Sequence, residues 1–301
     1  MEGARPLTWL LAVDGSRNAV RAARYVARVA RNTGVSEIQL LNVQPPEHPD
    51  ARSGRGAAPV PRADEATNRD AAAALRILER AALPVRLHAH RGANPAATIV
   101  EAARRLRVDE IVMGTRGLSA LGTLGLGSVA YKVVYLTRRP VTLVPSPRDG
   151  HEPALPSTRR ATSILLAVDG SRHALRAVTY VCDLHRAGMP LHVHLLNVQP
   201  RIVSGNVRRF ISRAQINAYQ REEGELALRA ASRRLDRAGI KHASDIRTGA
   251  LAETIVQVAG EHRCTRIVMG TRGLGAVSGL VLGSVTYGVV HLAAMPVTLV
   301  K

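Results

Sequence analysis

The passage Met113-Gly114-Thr115-Arg116-Gly117, nine further residues and Gly127-Ser128 is written again as Met269-Gly270-Thr271-Arg272-Gly273, nine residues and Gly283-Ser284. This repetition constrains the chain more than any other feature, because its surroundings repeat with it. Asp14-Gly15-Ser16 returns as Asp169-Gly170-Ser171, Asn42-Val43-Gln44-Pro45 as Asn197-Val198-Gln199-Pro200, and Pro140-Val141-Thr142-Leu143-Val144 as Pro296-Val297-Thr298-Leu299-Val300. Two copies of one domain are therefore expected, and 301 residues are enough for each to bury its own core. The boundaries drawn are 1–147 for the first domain, 148–161 for a proline-rich linker and 162–301 for the second.

Each copy alternates apolar runs with helical periods. Trp9 to Val13 is a continuous apolar strand, Asp14-Gly15-Ser16 turns out of it, and Ser16 is suited to cap the helix that follows. That helix has Val20, Ala23, Ala27 and Ala30 as its apolar face, while Arg17, Arg21, Arg24, Arg28 and Arg31 form a stripe along one side. A strand over Ile38 to Val43 comes next, then a mobile Pro/Gly/Arg-rich loop from Pro45 to about Arg62, a helix from about Asp64 to Ala82, and a weak strand near Val85 to His90. Asn94-Pro95 opens a third helix, Glu110 to Met113 is a buried strand, and Ala130, Val133, Val134 and Leu136 recur at helical spacing after Ser128. Strands alternating with helices predict an α/β fold with doubly wound, mostly parallel sheets and right-handed crossovers.

In such a sheet a ligand lies beyond the carboxyl ends of the strands, where the strand order reverses. Asp14, Val43 and Gly114 all follow strand ends and can converge there. Glycines let the backbone turn tightly and approach a ligand, and the helix start at Ser128 supplies N–H groups and a positive dipole end for an anion. An acidic side chain, an apolar wall and a phosphate-cradling loop suit a nucleotide better than inorganic phosphate alone. The alternative for the loop is a tight strand-to-helix turn that binds nothing, and for Asp14 and Asp169 a role in bracing the adjacent turn.

These residues resemble the universal stress protein family, specifically its tandem members. The family's Gly-x2-Gly-x9-Gly-Ser/Thr signature is matched by Gly114/Gly117/Gly127/Ser128 and by Gly270/Gly273/Gly283/Ser284. The resemblance implies a Rossmann-like five-stranded sheet in the order 3-2-1-4-5, ATP binding, and a stress-response or signalling role. It implies one nucleotide site at Ala12, Asp14, Val43, Met113, Gly114, Arg116, Gly117, Gly127, Ser128 and Val129. The other comprises Ala167, Asp169, Val198, Met269, Gly270, Arg272, Gly273, Gly283, Ser284 and Val285. Asp14 and Asp169 would lie near the ribose or a phosphate-bound Mg²⁺, without a direct protein ligand set for the metal, and Val43 and Val198 near adenine. It also implies an intramolecular pseudo-dimer through the closing strands, Val141 to Val144 and Val297 to Val300; covering an apolar edge in this way removes a pairing hazard. Further homodimerisation is compatible with this arrangement.

Composition bounds the remaining readings. Hydrophobic residues are 46% but aromatics only 3%, so the cores are built from Val, Leu, Ile and Ala. A formal charge of +19, almost all of it arginine, favours anionic partners and supports an alternative reading, an Arg-rich interaction protein for nucleic acid or acidic proteins. The scarcity of aromatics weighs against base stacking. Cys182 and Cys264 form no CxxC or Cys/His cluster, so neither a disulfide nor a redox cofactor is expected. His88/His90 and His192/His194 each share a strand face, yet no carboxylate or cysteine nearby in the sequence completes a zinc set. No nucleophile–base pair, P-loop lysine or catalytic base stands out, so a dedicated enzyme is not expected, slow ATP hydrolysis aside. Without a cleavable leader pattern or a membrane-length apolar run, the expected location is cytoplasmic, with no membrane partner.

Overall fold

The computed structural model describes residues 6–31, 35–44, 63–117, 126–146, 162–202, 212–274 and 282–301, with side chains of 63–70 excepted. The expected mobile loop after Pro45 and the linker lie outside the described residues, as do Gly122 and Gly125. The chain forms two compact units, one within 6–146 and the other containing 162–301.

The first unit runs β1 (Leu7–Val13), α1 (Arg17–Ala30), β2 (Val35–Gln44), α2 (Ala63–Arg80), β3 (Val85–Arg91), α3 (Pro95–Arg105), β4 (Glu110–Gly114), α4 (Ser128–Leu136) and β5 (Val141–Val144). Its strands lie in the order β3-β2-β1-β4-β5, and every described pairing is parallel. The second unit runs β6 (Thr162–Ala167), α5 (Arg172–Arg186), β7 (Leu191–Gln199), α6 (Arg213–Arg237), β8 (His242–Thr248), α7 (Leu251–Glu261), β9 (Arg266–Gly270), α8 (Ser284–Leu292) and β10 (Val297–Val300). It repeats the order as β8-β7-β6-β9-β10, again parallel. In both units the order reverses between the first strand and the fourth, which is where the expected crevice must open.

Central strands are buried on both faces and are continuously apolar for that reason, as in Trp9-Leu10-Leu11 and Ile164-Leu165-Leu166. Edge strands β3 and β8 contain no buried residue and carry no continuous apolar run, which made β3 faint in the sequence. Ser16 caps α1 by accepting from Ala19 N at 3.2 Å, and Ser171 does the same for α5 through Ala174 N at 3.1 Å. Asn94 caps α3, whose first helical position is proline, as the sequence predicts.

The arginine stripe on α1 is not a uniform solvated face. Arg17, Arg24, Arg28 and Arg31 are exposed, but Arg21 is buried among the alanines, because α1 is covered by the sheet on one side and by α2 on another. Arg31 reaches across to the C-terminal end of α2, donating to the carbonyls of Ala81 at 3.0 Å and Arg80 at 2.6 Å. The buried face also extends beyond the expected one, through Tyr25, Val26 and Val29, whereas Val20 is only half-buried. Both cysteines are free and buried, and burial raises the pKa of each thiol.

A buried asparagine in each unit continues the sheet ladder past the end of its first strand. Asn42 Nδ2 donates to Val13 O at 3.0 Å, and Asn197 Nδ2 to Val168 O at 2.9 Å, securing the residue just before each aspartate. Removing that amide leaves a buried carbonyl short of a partner, a loss of about 1–3 kcal/mol. Asn197→Ala should therefore lower the stability of the second unit by that amount, read as a shift in denaturant midpoint; an unshifted midpoint would show the bond to be dispensable.

Candidate functional site

The two sites begin at a turn. Gly15 and Gly170 leave β1 and β6 with φ of 77° and 81°, a backbone region in which a side chain is strained. The chain then doubles back, so that Asp14 Oδ1 accepts from Ser16 N at 3.1 Å and Asp169 Oδ1 from Ser171 N at 3.0 Å. The other oxygen of Asp169 accepts from Leu274 N at 2.9 Å, tying the start of α5 to the glycine loop after β9. The bracing role for the aspartates is thus real, and in the second unit it joins Asp169 to the loop.

The first two glycines of each signature are required by space. A Cβ on Gly114 would stand 2.9 Å from Asn18 Cβ, and one on Gly270 2.9 Å from the backbone carbon of His173, so both allow the fourth strand to press against the start of the first helix. A Cβ on Gly117 would lie 2.3 Å from Asp14 Oδ2, and on Gly273 2.5 Å from Asp169 Oδ2. Among the described glycines only Gly15, Gly170, Gly188 and Gly239 have positive φ, so the dihedral constraint that a phosphate-loop glycine suggests is absent at Gly117, Gly127, Gly273 and Gly283.

The loop returns to the sheet through backbone bonds. Gly127 N donates to Thr115 O at 2.7 Å and Gly283 N to Thr271 O at 3.0 Å, which sets the starts of α4 and α8 beside β4 and β9. Gly127 and Gly283 are the N-caps of these helices, and neither cap has a side-chain hydrogen bond. The leading N–H groups, those of Ser128, Val129, Ser284 and Val285, are therefore offered to the crevice at the positive end of the helix dipole. In the second unit Thr286 Oγ1 also donates to Gly270 O at 3.1 Å; Ala130 stands at the equivalent place in the first.

In the second unit these parts enclose a cavity of about 530 Å³. Ala167, Asp169, Val198, Met269, Gly270, Arg272, Gly273, Gly283, Ser284 and Val285 all line it. In the first unit Ala12, Asp14, Val43, Met113, Gly114, Arg116, Gly117, Gly127, Ser128 and Val129 occupy the equivalent strand ends, loop and helix start. Sequence reasoning missed Leu251 and Ile255, which bring the first turn of α7 to the cavity, and Leu196, Gln199 and Leu282. The signal for the first two was present in the copy, since Asn94-Pro95 opens the equivalent helix. His173 is a further neighbour of the loop; burial holds its pKa below the ordinary value, and Arg176 and Arg272 act in the same direction.

The family model of the universal stress proteins matches residues 8–145 and again 161–301. The chain belongs to the universal stress protein family. Its two matches make it a tandem member. A universal stress protein of Thermus aquaticus is 37% identical over 142 residues, which are 46% of this chain and 98% of the relative. The universal stress protein YxiE of Bacillus subtilis is 32% identical over 143 residues, 45% of this chain and 96% of the relative. Each relative is thus matched over nearly its whole length by about half of the present chain. Among solved structures, a universal stress protein of Archaeoglobus fulgidus is similar with a TM-score of 0.62 and 23% identity, covering 98% of this chain and 96% of that one, which supports the fold.

The two copies differ in how tightly the last signature glycine is held. A Cβ on Gly283 would meet Thr271 O at 3.7 Å, an ordinary contact, whereas on Gly127 it would meet Thr115 O at 3.1 Å. Gly283→Ala should change stability by no more than about 0.5 kcal/mol. Gly273→Ala, by displacing the Asp169 carboxylate, should cost about 1–3 kcal/mol. Denaturant midpoints of the two variants provide the comparison, and the reverse order would refute this account of the loop.

Proposed function

We propose that this universal stress protein binds ATP, with Mg²⁺, at one site in each domain, and that occupancy changes its contacts with other molecules in a stress response. The observation that carries the reading is the second-domain cavity, where an apolar wall, a strand-end carboxylate and an uncapped helix start face one space. Its volume of about 530 Å³ lies within the ordinary range of small-molecule sites, about 300–1,000 Å³.

The parts sort by chemistry. Val198, Leu196 and Ile255 offer apolar surface to a base, and the N–H groups leading α8, with Ser284, face where phosphate oxygens would sit. Arg272 adds a positive charge on the same wall. Both oxygens of Asp169 already accept backbone N–H groups, and each keeps a second lone pair for a ribose hydroxyl or a Mg²⁺-bound water. That suits a metal carried in by the phosphates and held through water. Among the described residues no helix is long and apolar enough to cross a membrane.

Equilibrium dialysis with ATP and Mg²⁺ should find two sites per chain, and Gly127→Val and Gly283→Val should each reduce the number to one. The double variant should lose binding together with the stabilisation of about 2.7 kcal/mol expected at 100 times the dissociation constant. Wild-type protein that binds no nucleotide, or a folded double variant that binds normally, would reduce the loops to turns. RNA binding that falls steeply with salt and ignores these glycines would instead favour the arginine-rich surface as the functional element.

A further inference from the structure

A second cluster of chemically able side chains lies at the opposite end of the second sheet. Ser163, His192, His194, Lys241 and His262 line a recess of about 320 Å³ at the amino-terminal ends of β6, β7 and β8, whereas the glycine loop faces the carboxyl ends. The imidazoles of His194 and His262 stack there, with centroids 3.7 Å apart. His194 is on β7, and His262 is the residue that ends α7. Asp245 of β8 completes the group: one ligand atom from each of His194, Asp245 and His262 can be chosen such that all lie within 4.8 Å of one another.

Comparison with the first domain shows what is unusual. On the equivalent rungs, Leu41 faces His88 and Leu196 faces Asp245, so His88 and Asp245 correspond, as do Gln39 and His194. In the first domain the set is closed. His88 Nε2 meets Gln39 Oε1 at 2.6 Å, and Gln39 Nε2 donates to Glu37 at 2.7 Å. The helix above it ends in the apolar Leu106. In the second domain a ligand-bearing residue stands at all three places, and His194 Nε2 is buried without a hydrogen-bond partner. A buried nitrogen left so calls for an occupant, water or ion.

We propose that His194, Asp245 and His262 form a site for a divalent transition-metal ion of the Zn²⁺ class. Two imidazoles and one carboxylate, with a fourth position open, are a donor set such ions accept, while Mg²⁺ prefers oxygen. Donors on a tetrahedral Zn²⁺ stand about 3.3 Å apart, given bonds of about 2.0–2.1 Å, so the group needs to close by up to about 1.5 Å. His262, exposed at a helix end, can supply that by side-chain rotation. Burial, and next the neighbouring His262, hold the pKa of His194 below its ordinary value, and Arg247 acts in the same direction against Asp245. The neutral ring is the form that binds metal. Arg247 Nε donates to Asp245 Oδ2 at 2.7 Å, which leaves Oδ1 to the ion and orients the carboxylate. Lys241, on the same recess, opposes the ion's charge and makes the site dependent on its direct ligands.

The test uses full-length, tag-free protein, titrated with Zn²⁺ against a chromophoric chelator and with Co²⁺ for its visible d–d absorption. One equivalent should bind tightly, Mg²⁺ in excess should not displace it, and His194→Gln and His262→Gln should each weaken it at least tenfold. Asp245→Asn should weaken it too, and far-ultraviolet circular dichroism would show whether each variant folds. His88→Ala, in the first domain, should leave the equivalent in place. Wild-type protein with no stoichiometric Zn²⁺, or folded His194→Gln and His262→Gln variants that bind like wild type, would overturn the assignment.

Discussion

The strand-end carboxylate holds together the crevice at the carboxyl ends of the strands. Asp169 accepts one N–H from the start of α5 and another from the loop after β9, so one side chain bridges two segments far apart in the sequence. Its position is secured from behind by Asn197, which extends the ladder by one residue beyond β6. The space it fills explains why residue 273 has no side chain. Once this junction is formed, α8 must begin next to the sheet end with its leading N–H groups facing inward, and the cavity follows.

Both copies keep the aspartate turn and the asparagine behind it while diverging around them. Asn18, which donates to Arg116 O at 3.3 Å and accepts from Ser146, is replaced by His173 in the second domain. Ala130 is replaced by Thr286, whose hydroxyl holds the end of β9. Even the cores differ in kind. The first residue of the fourth strand is Glu110 in one domain, accepting from Thr142, and Arg266 in the other, donating to Thr298 and Tyr180, and both are fully buried. A buried charge is costly unless hydrogen-bonded, so each copy acquired its own partners for it.

The histidine cluster on the second domain shows the same divergence at the other end of the sheet. There the first copy closes its polar groups on one another, and the second places ligand-bearing residues on the same rungs and at the same helix end. The two ends of one sheet thus offer different chemistry: apolar wall and backbone N–H groups at one, imidazole and carboxylate at the other.

Much of the fold was legible because it depends on local signals and on period. Continuous apolar runs marked the central strands, Ser16, Ser171 and Asn94 marked helix starts, and the recurring glycines marked the loop that lines the second-domain cavity. The sequence could also show that two domains exist, since a repeat is a statement about order alone. Tertiary structure decided what depends on packing between distant segments. Arg21, one member of the arginine stripe in the sequence, is buried in the structure, and the glycines proved to make room for Asp14 and Asp169 with no need for an unusual dihedral. Leu251 and Ile255 reached the cavity, and Asp245 and His262 reached His194, only because parallel strands return after a helix, bringing together residues that no spacing in the sequence connects.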